Sequence, residues 1–374
     1  MLKVVFSCGG TGGHINPAIS IADYIKSVMP DAEITFIGSD RGMENTLVPK
    51  AGYNLKTVAV RGFNRKISLK GLKDNVSAAY KALTGVSKAK KILKKISPDV
   101  VIGTGGYASY SAVKAASKLK IPAMIHEQNA FPGVTTKQLA KCADVIFISF
   151  EESQKYFTDN EKKKIVFTGN PVNPSVLKAE KNEARRKYGL RDGDVYILSF
   201  GGSLGADKIN ETVLQTLEDY ISKTEIRYTH GIGRMRYEAL KKENKLEKFK
   251  PYKNIELSDY IYDMPERMAA ADIVISRAGA ITIAEGACLG KAMILIPSPN
   301  VAENHQYKNA AVLAEAGAAV LIEEKDLTSG RLTEEIGALI SDKEKLKSLE
   351  NGIKKFAKRD AVKRIAEEAM KYAK

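Results

Sequence analysis

The residues best suited to chemistry stand at Gly9-Gly10-Thr11-Gly12-Gly13-His14, directly after the apolar run Leu2-Lys3-Val4-Val5-Phe6. Four glycines in five positions remove the β-carbons that would hold a ligand away from the backbone. A helix read as beginning near Pro17 aims unpaired N–H groups into the same space, which suits an anion such as phosphate. Thr11 adds a hydroxyl donor, and His14 adds a ring that titrates near neutral pH. The segment reads as a phosphate or sugar-phosphate loop rather than as a bare strand-to-helix turn.

Three more loops share this placement. Gly103-Thr104-Gly105-Gly106-Tyr107-Ala108-Ser109 follows the run Val100–Ile102, and Gly201-Gly202-Ser203-Leu204-Gly205-Ala206 follows Val195–Phe200. Ser276-Arg277-Ala278-Gly279-Ala280-Ile281-Thr282 follows a third run. Each precedes a helical pattern, so each can offer backbone N–H groups to phosphate, and together they imply one ligand with several polar ends or two ligands in a shared cleft. None carries the Gly-Lys-Ser/Thr ending of a P-loop. Gly103-x-Gly105-x-x-Ala108 does fit a relaxed dinucleotide fingerprint, with Glu127 placed to hold a ribose, so a nicotinamide-dependent oxidoreductase stands as a minor reading.

The elements that must position these loops are legible as apolar runs. Strand candidates are Leu2–Phe6, Ile34–Ile37, Leu55–Val60, Val100–Ile102, Ala123–His126, Val145–Ile148 and Ile165–Phe167, then Val195–Phe200, Ile226–His230, Ile255–Leu257, Ile273–Ser276, Ala292–Ile296 and Ala319–Ile322. Helical patterns such as Ala18–Val28, Ser109–Leu119, Ile209–Ile221 and Tyr307–Glu315 fall between them. Strand, helix, strand at this spacing means α/β architecture with parallel sheets and ligand loops at the carboxyl ends of strands. The series occurs twice, and Gly169-Asn170-Pro171-Val172-Asn173-Pro174 between the two sets reads as a stiff hinge. The stretch Lys343–Lys374 is a basic helical pattern without a strand.

Composition sets limits. A chain of 374 residues suits two domains. Its three widely spaced cysteines, Cys8, Cys142 and Cys288, have no metal-ligand spacing and fit a reducing compartment. No run is long enough to span a membrane, and no signal peptide is expected ahead of the first strand. The net charge of +15 is concentrated: Arg61–Lys95 holds 11 Lys or Arg and one acid, Asp74, interleaved with Ile67, Leu69, Leu72 and Tyr80. A basic amphipathic segment can lie on an anionic membrane, bind nucleic acid or leave its lysines in water. With no zinc finger, no RNA-binding aromatic signature and no tryptophan, nothing recommends nucleic acid.

Gly-Gly-Thr-Gly-Gly-His at 9–14, His126-Glu127-Gln128-Asn129, the 201–206 loop, the 276–282 loop and Asn304-His305-Gln306 together resemble the MurG family of bacterial N-acetylglucosaminyltransferases. The match runs in register across nearly the whole chain. The resemblance implies a GT-B architecture, in which two Rossmann-like parallel-sheet domains face each other across a cleft. Residues 1–170 would form the acceptor and membrane domain, residues 171–351 the donor domain, and a final helix over 352–374 would cross back to the first. It also implies transfer of N-acetylglucosamine from UDP-N-acetylglucosamine to the C4 hydroxyl of the muramoyl sugar of lipid I, with inversion, to give lipid II. A relative using another lipid acceptor, or one that kept the fold without turnover, is compatible with the same motifs.

The family pattern assigns roles residue by residue. His14 and Glu285 are the expected catalytic residues. Two roles suit His14: taking the proton of the acceptor hydroxyl, or binding the acceptor pyrophosphate with Thr11, Gly105, Gly106 and Tyr107. Donor contacts are expected from Thr11, Gly12, Gly13, Asn129, Asn173, Ser203, Ile261, Ala280, Ile281, Thr282, Glu285 and Gln306. Of these, Ile261 would grip uracil through its backbone, Ser203 would meet the diphosphate, and an ionised Glu285 would accept both ribose hydroxyls. His126 is expected to be structural. Asn173 departs from the arginine common at its place, so Arg234 or Arg277 becomes the candidate substitute cation. No cofactor and no metal is expected, because helix N-termini can stabilise the departing UDP. The basic segment, with Ile67, Leu69, Leu72 and Tyr80 as an apolar wedge, would dock peripherally on the anionic cytoplasmic face of the cell membrane.

Overall fold

The computed structural model describes residues 1–59, 84–202 and 205–373. Thirteen strands occur among them: β1 Lys3–Ser7, β2 Glu33–Ser39, β3 Asn54–Val58, β4 Val100–Gly103, β5 Ala123–Glu127, β6 Val145–Ile148, β7 Ile165–Phe167, β8 Tyr196–Phe200, β9 Arg227–Gly231, β10 Ile255–Ser258, β11 Ile273–Ser276, β12 Ala292–Leu295 and β13 Val320–Leu321. Each matches an apolar run in the sequence. Strands such as β4, β6 and β8 are buried along their whole length, because a parallel sheet covered by helices on both faces favours near-continuous apolar runs.

The chain divides into two compact units, residues 1–173 with 358–374, and residues 174–357. In the first, seven parallel strands run in the order β3-β2-β1-β4-β5-β6-β7; in the second, six run β10-β9-β8-β11-β12-β13. Both orders reverse direction at the first strand of the unit, between β1 and β4 and between β8 and β11. In doubly wound sheets such a switch point opens a crevice at the carboxyl ends of the strands. All four glycine loops leave strands that flank these two points.

Side chains alternate across the first sheet. Val4 and Phe6 face Ile15, Ile21 and Ile25 of the helix Gly12–Val28, together with Ile365, Ala366 and Ala369. Val5 and Ile37 face the opposite layer, with Ala89, Leu93, Ala112 and Val113. In the second unit Ile197, Ile273 and Ile294 share a core with Ile209, Val213, Leu332, Ile336 and Leu339.

Three expectations need correction. The first helix begins at Gly12, not near Pro17, which lies inside it. Pro17 there loses only one hydrogen bond, to Gly13, and His14 consequently sits in the first turn. The basic terminal pattern is two helices rather than one: Lys343–Lys354 ends in the second unit, and Ala361–Met370 packs in the first. The expected helix over 352–374 is interrupted where the Phe356 and Ala357 N–H groups turn back onto Ile353 and Lys354. The hinge motif also belongs in part to the first unit: Asn170 is buried and donates to the Gln128 carbonyl at 3.0 Å.

Candidate active site

At the β1/β4 switch point Thr11 is the N-cap of the helix Gly12–Val28 and makes no side-chain cap bond. The N–H groups of Gly12 and Gly13 open that helix, where no intrahelical acceptor exists. Half-buried His14 follows. Its Nδ1 lies 3.1 Å from the Gly9 carbonyl. A carbonyl only accepts, so Nδ1 donates, and in the neutral ring Nε2 carries the lone pair. The backbone beneath is pinned by Thr104, whose hydroxyl donates to the His14 carbonyl at 2.7 Å.

Gly105 and Gly106 come from the adjacent β4 loop, with φ of +117° and +82°. Gly106 caps the helix Tyr107–Lys118, and its α-carbon presses so closely on the Gly9 peptide that a β-carbon there would collide with the Gly9 oxygen. Tyr107 projects outward, 46% exposed. Thr11, Gly12, Gly13 and His14 at the end of β1 therefore stand beside Gly105, Gly106 and Tyr107 at the end of β4.

The β5 loop adds Asn129. Its backbone N–H and its side-chain amide both donate to Glu127 at 3.0 Å, and Gly133 and Thr136 donate to the other Glu127 oxygen. Glu127 is buried and its acceptor positions are spent on the loop, so it is not the ribose-binding acid of a dinucleotide site. His126 is structural. Nε2 donates to the Gly169 carbonyl at 3.1 Å and Nδ1 accepts from Gln128 at 2.9 Å, while burial pushes its pKa down to about 4.

In the second unit Gly202 and Gly205 have φ of +93° and +78°, and the Gly205 N–H closes a turn onto Gly202 at 2.9 Å. Ser203 lies outside the described residues. Ala280, Ile281 and Thr282 form the first turn of the helix Ala280–Leu289, whose leading N–H groups point from the end of β11. Glu285, one turn on, is half-buried, and burial pushes its carboxyl up to about 7. Gln306 accepts from the Ser298 N–H at 2.9 Å through Oε1, which leaves its amino group outside that contact. It opens the helix His305–Glu315, preceded by Glu303 and Asn304 at φ of +55° and +50°, a conformation that strains non-glycine residues. Ile261 is buried, with its side chain against Gly231.

Of the two substitute cations for Asn173, Arg277 does not fit. Its guanidinium pairs with Glu324 and donates to the Ile296 and Pro297 carbonyls, so it braces the β12 end. Arg234 is 65% exposed on its side chain, lies 3.9 Å from Asp259, is bonded to the Tyr262 hydroxyl at 2.8 Å and is set over the rings of Tyr260 and Tyr262. Asn173 closes the first unit, and Ile67, Leu69, Leu72 and Tyr80 lie outside the described residues.

Two constellations escape sequence reading. Buried Glu44 accepts from the Gly10 N–H at 3.0 Å and from the Ser39 N–H at 2.8 Å. In the second unit Ser199, His230 and Asn210 form a buried chain, 2.7 Å and 3.1 Å apart, whose Asn210 amide donates to Ile232 at 2.9 Å. This imitates a hydrolase triad, but all three residues are inaccessible, and burial pushes His230 down to about 4. It is a brace under the glycine loop.

Residues 4–148 match the glycosyltransferase family 28 N-terminal domain, and residues 196–365 match the family 28 C-terminal domain. The chain is 44% identical over 366 residues to the UDP-N-acetylglucosamine--N-acetylmuramyl-(pentapeptide) pyrophosphoryl-undecaprenol N-acetylglucosamine transferase of Acetivibrio thermocellus, covering 98% of this chain and 97% of that one. The chain belongs to the MurG family of glycosyltransferases. A second MurG-family protein of the same description, from Clostridioides difficile, is 43% identical over 99% of this chain and 89% of its own. The crystal structure of Acinetobacter baumannii MurG superposes with a TM-score of 0.77 at 28% identity, covering 99% of this chain and all of that one. A UDP-GlcNAc 2-epimerase from Neisseria meningitidis bound to UDP-GlcNAc shares the fold alone, at a TM-score of 0.67 and 16% identity. Membership of the MurG family, with the spent carboxylate of Glu127, removes the oxidoreductase reading.

Proposed function

We propose that this enzyme transfers N-acetylglucosamine from UDP-N-acetylglucosamine to the C4 hydroxyl of the muramoyl sugar of lipid I, inverting the anomeric centre and producing lipid II. The observation that supports this chemistry is the Gly9–His14 contact, in which Nδ1 donates and the neutral ring keeps its lone pair on Nε2. His14 then takes the acceptor proton as the C4 oxygen attacks the anomeric carbon, while the sugar–phosphate bond breaks and UDP leaves. Thr11, Gly105, Gly106 and Tyr107 hold the acceptor pyrophosphate, and Thr11 with the Gly12 and Gly13 N–H groups contacts the donor.

The second unit takes the donor. The first-turn N–H groups of Ala280, Ile281 and Thr282, with Ser203, meet the diphosphate and stabilise charge on UDP without a metal ion. Glu285 accepts the ribose hydroxyls, the Ile261 backbone meets uracil, and Gln306 and Asn129 hold the sugar. Arg234 is the cation that compensates for Asn173. The segment Arg61–Lys95 docks on anionic lipid, each cation near the surface contributing about 1 kcal/mol. No helix among the described residues is long and apolar enough to cross a membrane.

Purified enzyme given labelled UDP-N-acetylglucosamine and a short-chain lipid I analogue should yield a β-linked disaccharide lipid, with turnover unaffected by a chelator. Saturable UDP-sugar binding without transfer would refute the acceptor assignment.

A further inference from the structure

The Gly9 carbonyl that accepts from His14 Nδ1 and the Gly10 N–H that donates to Glu44 Oε2 belong to one peptide group. We infer that Glu44 acts on His14 through this peptide, as a positioning residue that fixes the ring and strengthens it as a base. The inference rests on His14 being the base of the proposed reaction.

The geometry supports each link. Glu44 is fully buried, yet three donors converge on its carboxylate: the Gly10 N–H at 3.0 Å, the Ser39 N–H at 2.8 Å and the Ser39 hydroxyl at 2.5 Å. Burial alone would raise its pKa, but these bonds hold the carboxyl below the usual range, so it stays ionised. A charged acceptor on one end of a peptide draws density from the N–H and enriches the carbonyl oxygen at the other end, and chained bonds reinforce one another. The richer Gly9 oxygen binds the Nδ1 proton more tightly and so favours the imidazolium that forms when Nε2 takes a proton. The peptide itself is held at both ends, by Glu44 on its N–H and His14 on its carbonyl, and Gly106 packs on the Gly9 oxygen.

Other titratable groups about the ring differ in kind. The Cys8 thiol is buried and pushed up by burial and by Glu44, and His126 is buried beneath the loop. Tyr107 stands exposed at the start of its helix, while Asp40 and Arg41 lie exposed on the loop before Glu44. None of them bonds to the Gly9–Gly10 peptide.

The test is histidine and glycine NMR on full-length enzyme, where only four histidines need assignment. In wild type the Gly10 amide resonance should titrate with the His14 midpoint. Glu44→Gln should lower that midpoint by about half a pH unit or more. It should shift the acidic limb of the rate profile equally and reduce kcat, leaving the donor KM in place. A folded Glu44→Gln with an unmoved His14 midpoint, or a Gly10 amide that stays flat through the His14 titration, overturns the relay. If Glu44→Gln does not fold, Ser39→Ala removes a competing donor and should raise the midpoint; no movement again overturns it. Turnover that survives His14→Ala would instead sink the base assignment and leave the titration coupling measurable.

Discussion

The imidazole of His14 lies against the α-carbon of Gly105, so close that a β-carbon there would stand 2.5 Å from His14 Cδ2 and 2.9 Å from Nε2. Gly105 also has φ of +117°, which an alanine resists. Gly105→Ala should therefore expel the ring from its place. We expect kcat to fall at least about tenfold, with a loss of about 1–3 kcal/mol in stability from the backbone strain. Steady-state kinetics alongside urea melts separates the two effects.

His14→Ala should lower kcat by roughly 10²- to 10⁴-fold, the range for a lost general base, with little change in the KM for the lipid acceptor. The opposite pattern, a raised acceptor KM with kcat retained, would assign His14 to pyrophosphate binding.

With Glu285 on the ribose, as proposed, donor binding should depend on pH. Its carboxyl is raised to about 7, yet only the ionised form accepts both ribose hydroxyls. UDP affinity should rise as pH goes from 6 to 8, by up to about tenfold per unit below the pKa. Glu285→Gln should bind more weakly and without that slope, which calorimetric titration of UDP resolves. The sign for stability is opposite: the folded state holds a proton that the unfolded chain loses above about 4.5, so Glu285 weakens folding as pH climbs toward 7.

Acid should loosen both units. His126 and His230 are buried, one in each, and lowered to about 4 from 6.5. Between those values the unfolded chain binds protons that the folded chain refuses. Stability is thus complete above 6.5 and falls as pH drops toward 4, by about 3 kcal/mol per ring. Denaturant melts at pH 7.5 and pH 5 should differ accordingly, and a flat profile would contradict the buried, neutral assignment.

The sheet was legible because parallel strands covered on both faces are near-continuously apolar; Val100–Gly103 and Val145–Ile148 show this. The glycine loops were legible because backbone that approaches a ligand cannot carry β-carbons. The start of the first helix was not, since glycines and Pro17 weigh against a helix locally and tertiary packing of Ile15, Ile21 and Ile25 overrides them. Glu44 gave no signal: its role appears only when the loop after β2 folds over the end of β1. Arg277 and Arg234 were indistinguishable as letters, and only the folded positions of Glu324 and the Ile296 and Pro297 carbonyls commit Arg277 elsewhere.

Ile365, Ala366 and Ala369 close a core that Leu2, Val4 and Phe6 begin, with the whole second unit encoded between them. During synthesis the first-made strands therefore wait for nearly the last-made helix, while the second unit, continuous in sequence, can finish ahead of them. The apolar layer over Ile15, Ile21 and Ile25 stays uncovered for that interval. Nascent chains should consequently depend on holding factors for the first unit more than for the second, and a stop codon before residue 361 should damage the end of the molecule that was translated first.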